Sequence, residues 1–382
     1  MAGRDIRSHP PEGRRRGRNR GMALLLTLAI MTVLITVSLE LNRRTRDAVT
    51  NSAMSRDRIT LSEMAGAGVQ AAMALLIRDK NTSSLDSIQE DWADPAKINE
   101  LLGDIPFDQG TVSLSITDEL GKIQVNALVD FPKGRHFNDN QKIMWDRFLR
   151  LVLESVKEKA GELDLEPDLE NVEAPAIINC IKDWLDSGDD GATTGLSGAE
   201  SEYYEGLDPP CSPANGPFTH LEELMLVKNI PAGLFGGIGE SGGIADYLTV
   251  HGMKKADTTV DNRNYTFEGR ININTADLPV LTALIPSGEY SYAAAIFNYR
   301  NEKEDGEYIH DLSQRTWYKN APDIPEDLVI DDTLITLVSD VFRIRSTAKL
   351  NGRERTVETV VRREQAPKTG KWMCNVISWQ VR

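Results

Sequence analysis

From Met22 to Leu39 the chain reads MALLLTLAIMTVLITVSL, with no charge, proline or glycine. A helix that crosses the hydrocarbon core needs about 20 mainly apolar residues, within a range of about 17–25. No second run of this kind occurs in the 382 residues, so one membrane pass is the limit. Seven arginines against Asp5 and Glu12 give residues 1–21 a net charge of +5. A basic flank stays cytoplasmic, so residues 40–382 are expected across the membrane, in the periplasm of a Gram-negative host. Those later residues are acidic: the formal net charge is −15, so everything after Gly21 carries −20. This argues against a nucleic-acid binder, which needs a basic footprint. With 40% hydrophobic and 26% charged residues, the chain is neither disordered, collagen-like nor polytopic.

The helical pattern outlasts the apolar run. No proline occurs between Met22 and Asp94, and no glycine between Met22 and Ala65. Leu61, Met64, Ala65, Gly68, Ala72, Leu75 and Leu76 recur at i, i+3, i+4, i+7 and form one apolar face. A helix over residues 22–78 would be roughly 85 Å long at 1.5 Å per residue. Its first half suits lipid or partner helices, and its second half suits the surface of a globular head.

In the body, Thr111-Val-Ser-Leu-Ser-Ile-Thr117 and Lys122-Ile-Gln-Val-Asn126 alternate apolar and polar residues and read as strands around a turn. Near the C-terminus, Val341–Leu350 and Arg355–Arg362 flank Asn351-Gly352, the strongest short hairpin signal. Cys374–Val381 supplies a further strand. Between these regions the periodicity is helical, over Lys142–Lys159, Ala176–Leu185, Leu221–Val227, Pro279–Ile285 and Tyr292–Asn301. A helical block is therefore expected inside a small α+β unit.

No A-x-A cleavage site follows the apolar run; Glu40-Leu-Asn-Arg-Arg44 does, and the small residue Gly21 precedes the run instead. A plain uncut signal anchor fits this layout, but the layout also resembles a type IV prepilin leader, cut between Gly21 and Met22 on the cytoplasmic side. Further pieces, in order and spacing, resemble the minor pseudopilin K family of type II secretion. They are Asp118-Glu-Leu-Gly-Lys-Ile-Gln-Val-Asn126, Asp183-Trp-Leu-Asp186, Gly198-Ala-Glu-Ser-Glu-Tyr-Tyr204, Asn215-Gly-Pro-Phe218, Leu221-Glu-Glu-Leu224 and Ile271-Asn-Ile-Asn-Thr-Ala276. The resemblance implies an α+β, type IV pilin-like fold: a long N-terminal helix and a small antiparallel sheet, with a large inserted α-helical domain. The corresponding segments are a leader at 1–21, the transmembrane and pilin helix at 22–80, pilin-like parts at 81–127 and 333–382, and the insertion at 128–332. It also implies a non-enzymatic inner-membrane subunit that is processed and methylated by prepilin peptidase. Such a subunit joins minor pseudopilins I and J at the tip of the pseudopilus. A minor pilin of a type IV pilus is the nearest alternative. Pilins usually carry Glu at the fifth residue after the cut; here Leu26 stands there. A subunit with no neighbour above it needs no such carboxylate, which is costly in an apolar core unless paired.

The richest chemistry lies between Asp183 and Asp208, where eight carboxylates are interspersed with glycines. An oxygen-only donor set suits Ca²⁺, which takes 6–8 oxygens. The EF-hand template fails, since Gly188 and Ser197 fall where ligands belong when counting from Asp186. Family members bind calcium in this region, and the expected ligands are Asp186, Asp189, Asp190 and Glu200. A solvated acidic loop is the competing explanation. Gly237-Ile-Gly-Glu-Ser-Gly242 matches both G-x-G-x-x-G and, with Gly243, G-x-S-x-G. No strand precedes it and no helix follows, so neither dinucleotide binding nor a hydrolase using Ser241 with His251 or His310 is favoured. Residues 221–239 and 271–286 resemble halves of a helix-hairpin-helix and read as structural in so acidic a chain. Cys180 and Cys211 could close a disulfide in an oxidising compartment, and a buried Cys180 thiol is equally compatible.

Overall fold

The computed structural model describes residues 18–382 except 104, 106, 108, 164–168, 170–171, 189–192 and 287–288. The chain divides into two units, Met1–Leu61 and Ser62–Arg382. In the first, α1 (Arg18–Lys80) begins ahead of Gly21 and passes through Gly21–Met22 without a break. Met22, Leu24, Leu25, Leu26 and the apolar residues that follow to Leu41 stand exposed, as a lipid-facing surface requires. Among the described residues this is the one helix long and apolar enough to cross a membrane. Just past the apolar run, Glu40 pairs with Arg43 at 3.4 Å and Arg44 at 2.8 Å.

In the second unit, α1 continues to Lys80 and is followed by α2 (Pro95–Gly103) and β1 (Thr111–Asp118). An inserted block then runs through β2 (Ile123–Gln124), α3 (Asp139–Glu162), α4 (Ala174–Leu185), α5 (Ser201–Glu205) and α6 (Ala232–Gly236). It continues with β3 (Leu248–Thr249), β4 (Met253–Val260), β5 (Arg263–Phe267), β6 (Ile271–Asn272), α7 (Leu278–Leu284) and α8 (Tyr290–Asn301). The short strands β7 (Lys303–Glu304), β8 (Glu307–Tyr308) and β9 (Ile335–Thr336) complete it. Then come β10 (Val341–Leu350), β11 (Arg353–Gln365) and β12 (Trp372–Val381).

The main sheet is antiparallel, in the order β1-β10-β11-β12. Thr111 pairs with Lys349 and Asp118 with Phe342, so β1 finds its partner across residues 119–340. Asn351 and Gly352 both have positive φ, 51° and 73°, the left-handed pair that a two-residue hairpin turn requires. The expected apolar face of α1 is buried at Met64, Ala65, Ala72, Leu75 and Leu76. It lies close on the sheet: a Cβ at Gly68 would run into Ser346 Oγ and come within 3.0 Å of Val112. Trp92 covers one end, its ring edge-on to Phe342 with centroids 5.2 Å apart.

Two expectations need correction. Lys122–Asn126 does not form a strand of this sheet. Only Ile123–Gln124 is extended, paired in parallel with Leu248–Thr249, and Val125–Leu128 turn into a 3₁₀ helix. The apparent alternation is not a half-exposed face, because every residue from Ile123 to Leu128 is buried in the insertion's core. The insertion therefore takes up the chain soon after Asp118. Nor is the block purely helical. It holds the β4–β5 hairpin, whose turn residues Asp261 and Asn262 have φ of 49° and 65°. Its core gathers Trp145, Phe148 and Leu149 of α3, Ile177, Ile181 and Trp184 of α4, and Val280, Leu281 and Leu284 of α7. The N-terminus of α3 is capped by Asn138, whose side chain accepts from the Gln141 amide.

Candidate functional site

Helix α4 sets up the acidic site. Pro175 occupies its first turn, where a missing N–H costs nothing. Its core face carries Ile177, Ile178, Ile181, Trp184 and Leu185. Asp183 shares the buried side of the last turn, and Asp186 is the C-terminal cap residue. The chain returns over this helix at residues 193–200 and delivers Glu200 at the start of α5. Oxygens of Asp183, Asp186 and Glu200 all lie within 4.8 Å of one another. The three side chains are 0, 5 and 4% exposed. Buried carboxylates so close together need compensating positive charge.

Part of it is visible. Lys182 Nζ pairs with Asp186 and lies 3.9 Å from Asp183. The Thr194 amide donates to both Asp183 oxygens at 3.1 and 3.0 Å, and the Gly188 amide donates to Asp186 Oδ1 at 3.1 Å. Burial pushes the Asp183 carboxyl up, against the Thr194 bonds and the Lys182 charge. Lys182 is shared between Asp183 and Asp186, so this pair keeps a formal −1. The loop also comes close enough that any Cβ at Gly198 would meet Asp183 Oδ2, with Thr194 N and O at 2.8 Å. Oxygen-only donors, incompletely balanced carboxylate charge and a close-packed loop suit a divalent hard cation.

Of the four expected ligands, Asp186 and Glu200 come together, and Asp189 and Asp190 lie outside the described residues. The sequence reading did not place Asp183 in the cluster, although it lies in the last turn of α4, three residues before the cap residue Asp186. Cys180 does not bridge to Cys211. Both are free thiols, as is Cys374, and Cys180 Sγ donates to the Ser197 carbonyl at 3.2 Å.

A second acidic group, Asp79, Asp86 and Glu90, is organised differently. The buried Arg363 guanidinium pairs with Asp86 and reaches Asp79 at 3.3 Å, and Lys80 reaches Asp86 at 3.2 Å. Arg363 also donates to the carbonyls of Leu76 and Ser339 and lies 4.7 Å from the Phe342 ring. Asn272, from the insertion, donates to both the Asp86 carbonyl and Asp118 Oδ2. This polar lock joins helix, sheet and insertion and already holds its cations.

The glycine-rich loop behaves as a connector. Gly237 and Gly239 have φ of 82° and 60°, around a tight Ile238–Ser241 bridge. Ser241 Oγ lies 2.9 Å from Ser155 Oγ, while His310 Nε2 is engaged by Glu302 at 2.7 Å. Among the described residues no histidine is hydrogen-bonded to Ser241.

Residues 121–236 match the family described as type II secretion system (T2SS), protein K. The type II secretion system protein K of Aeromonas hydrophila is 26% identical over 232 residues, 59% of this chain and 62% of the relative. That of Pectobacterium carotovorum subsp. carotovorum is 24% identical over 222 residues, 58% and 61%. The chain thus spans about three fifths of the length of these relatives. A chain of the GspK-GspI-GspJ complex from enterotoxigenic Escherichia coli superposes with a TM-score of 0.56 at 15% identity, over 87% of this chain and 99% of that one. That likeness bears out the pilin-like fold with its inserted domain. In the matched segment the chain is thus similar to the type II secretion system protein K family, and the fold around that segment is similar to that of a chain of the GspK-GspI-GspJ complex.

Proposed function

We propose that this protein is a minor pseudopilin at the tip of the type II secretion pseudopilus, where it starts and caps assembly for export of folded proteins. The observation that carries the reading is the interrupted sheet: β1 pairs with β10 across residues 119–340, within a chain that begins with one exposed apolar helix. Leu26 in place of the usual Glu supports a subunit with nothing above it. So does bulk: residues 62–382 far exceed a typical domain of about 100–150 residues. Its partners on this reading are minor pseudopilins I and J, contacted through the apolar helix and the flank of the pilin-like sheet. The role is architectural, not enzymatic. Prepilin peptidase cuts between Gly21 and Met22, and the new N-terminus is methylated. The mature chain is held in the inner membrane by a single pass, with the body in the periplasm.

The acidic site takes calcium, held by Asp183, Asp186 and Glu200, with Asp189 and Asp190 as further expected ligands. When bound, the ion neutralises these carboxylates and ties α4, the returning loop and α5 together. Cysteines placed along residues 22–60 test the assembly role. Crosslinks to minor pseudopilins at one filament end are expected, and crosslinks at regular intervals along the shaft refute the cap. N-terminal sequencing of membrane-extracted protein should start at Met22.

A further inference from the structure

The edge of the main sheet formed by β12 is open, and among the described residues no strand pairs with its outer side. The opposite edge, β1, is flanked by α2. Strand β12 is ten residues long and carries neither charge nor proline. It exposes Met373, Val376, Ile377, Trp379 and Val381 at 37–48%. The register sets Cys374 opposite Arg363, Val376 opposite Val361, Trp379 opposite Thr359 and Val381 opposite Val357, so these four share a face. Cys374 Sγ points to the Met73 carbonyl, so that face is the α1 side. Soluble proteins blunt such edges with short strands, prolines, inward charges or bulges; β12 has only a bulge at Ile377, between Val376 and Ser378.

The charge around the edge narrows what can occupy it. Of the ten basic residues in 341–382, Arg343, Arg345, Lys349, Arg362 and Arg363 are ion-paired within the fold, so the cations that bear on the edge are those that flank β12. Lys371 and Arg382 bracket β12. Two copies pairing through β12 would set cation against cation at both ends, in parallel or antiparallel arrangement, which is unfavourable. A membrane surface would leave the row of backbone N–H and C=O groups without partners. We propose that β12 is a docking edge for a strand of a different protein, apolar in its middle and carboxylate-bearing at its ends, which extends the sheet to five strands. Backbone hydrogen bonds supply the affinity, and the rib of Val376, Trp379 and Val381 reads alternate side chains. This inference does not rest on the partners proposed above.

The test uses full-length protein in non-ionic detergent and hydrogen–deuterium exchange of the 372–382 amides. The probe is a synthetic strand of alternating valine and threonine with two aspartates at each end; the control carries lysines there. The acidic-ended strand should slow exchange by about fivefold or more, less at high salt, and the control should not. Val376→Asp with Trp379→Asp should abolish the protection while leaving the melting curve in place. If that pair unfolds the protein, the milder Trp379→Thr should weaken protection. The proposal is overturned by no slowing with the acidic strand or by equal slowing with both strands. It is also overturned if anionic phosphatidylglycerol vesicles alone protect β12, or if the protein protects this strand unaided as its concentration rises.

Discussion

Single residues decide both acidic clusters. On the proposed reading, calcium held by Asp183, Asp186 and Glu200 stabilises the fold by RT ln(1 + [L]/Kd), about 2.7 kcal/mol at a hundredfold excess over Kd. For a unit of this size we expect chelator to lower Tm by about 4 °C. Asp186→Ala and Asp183→Asn should each blunt that difference, and identical melting with and without calcium would favour the solvated loop. At the second cluster, burial and the charges of Glu90 and Asp86 raise the Asp79 carboxyl from 3.8 to about 7, against the pull of Arg363 and Lys80. A carboxyl whose folded pKa lies above its unfolded value takes up a proton on folding. It therefore adds stability as pH falls from about 8 towards about 4. Asp79→Asn should flatten that gain, read as a smaller Tm difference between about pH 8 and about pH 5 than in the wild type. An equal difference in both proteins would mean that Asp79 is not the group taking up the proton.

At the scale of elements, the contact of α1 with the sheet depends on close approach at Gly68 and on the Arg363 lock. Gly68→Val pushes a branched side chain into Ser346 and Val112. Overpacking of this kind costs about 1–3 kcal/mol, measurable as a lower denaturant midpoint. Arg363→Met should cost more, about 3–5 kcal/mol, because it strips the buried Asp86 of its guanidinium. If the two variants were equally mild, the lock would not be what holds helix to sheet. The hairpin at Asn351-Gly352 was legible beforehand because its turn chemistry is local. The β4–β5 hairpin escaped notice: Met253–Val260 lacks a clean apolar alternation, and Asp261-Asn262 alone is a weaker signal than Asn-Gly.

For the whole molecule, the expected position is a single copy at one end of a filament. Loss of the protein should block secretion, and overproduction should shorten pseudopili as more filaments are capped. Normal secretion in a deletion strain, or long filaments under overproduction, would remove the initiating and capping role. Processing belongs to the same scale: an intact Met1 terminus in cells with active prepilin peptidase would exclude the leader reading.

The apolar run at Met22–Leu39, the continuing helical face to Leu76 and the C-terminal hairpin could be read directly, because each depends on residues within one or two turns or one tight loop of each other. The order of the motif pieces likewise carried the resemblance to protein K of type II secretion, which the match over residues 121–236 supports. What the linear chain does not carry is which distant groups meet. Thr111 pairs with Lys349, Asn272 bonds Asp118, and Arg363 reaches back to Asp79. Lys122–Asn126 looked like an exposed strand because alternation reports only composition; burial on every side was decided by what the insertion packs around it. Asp183 joined the acidic cluster for the same reason, since the loop that brings Glu200 to it is placed by tertiary contacts.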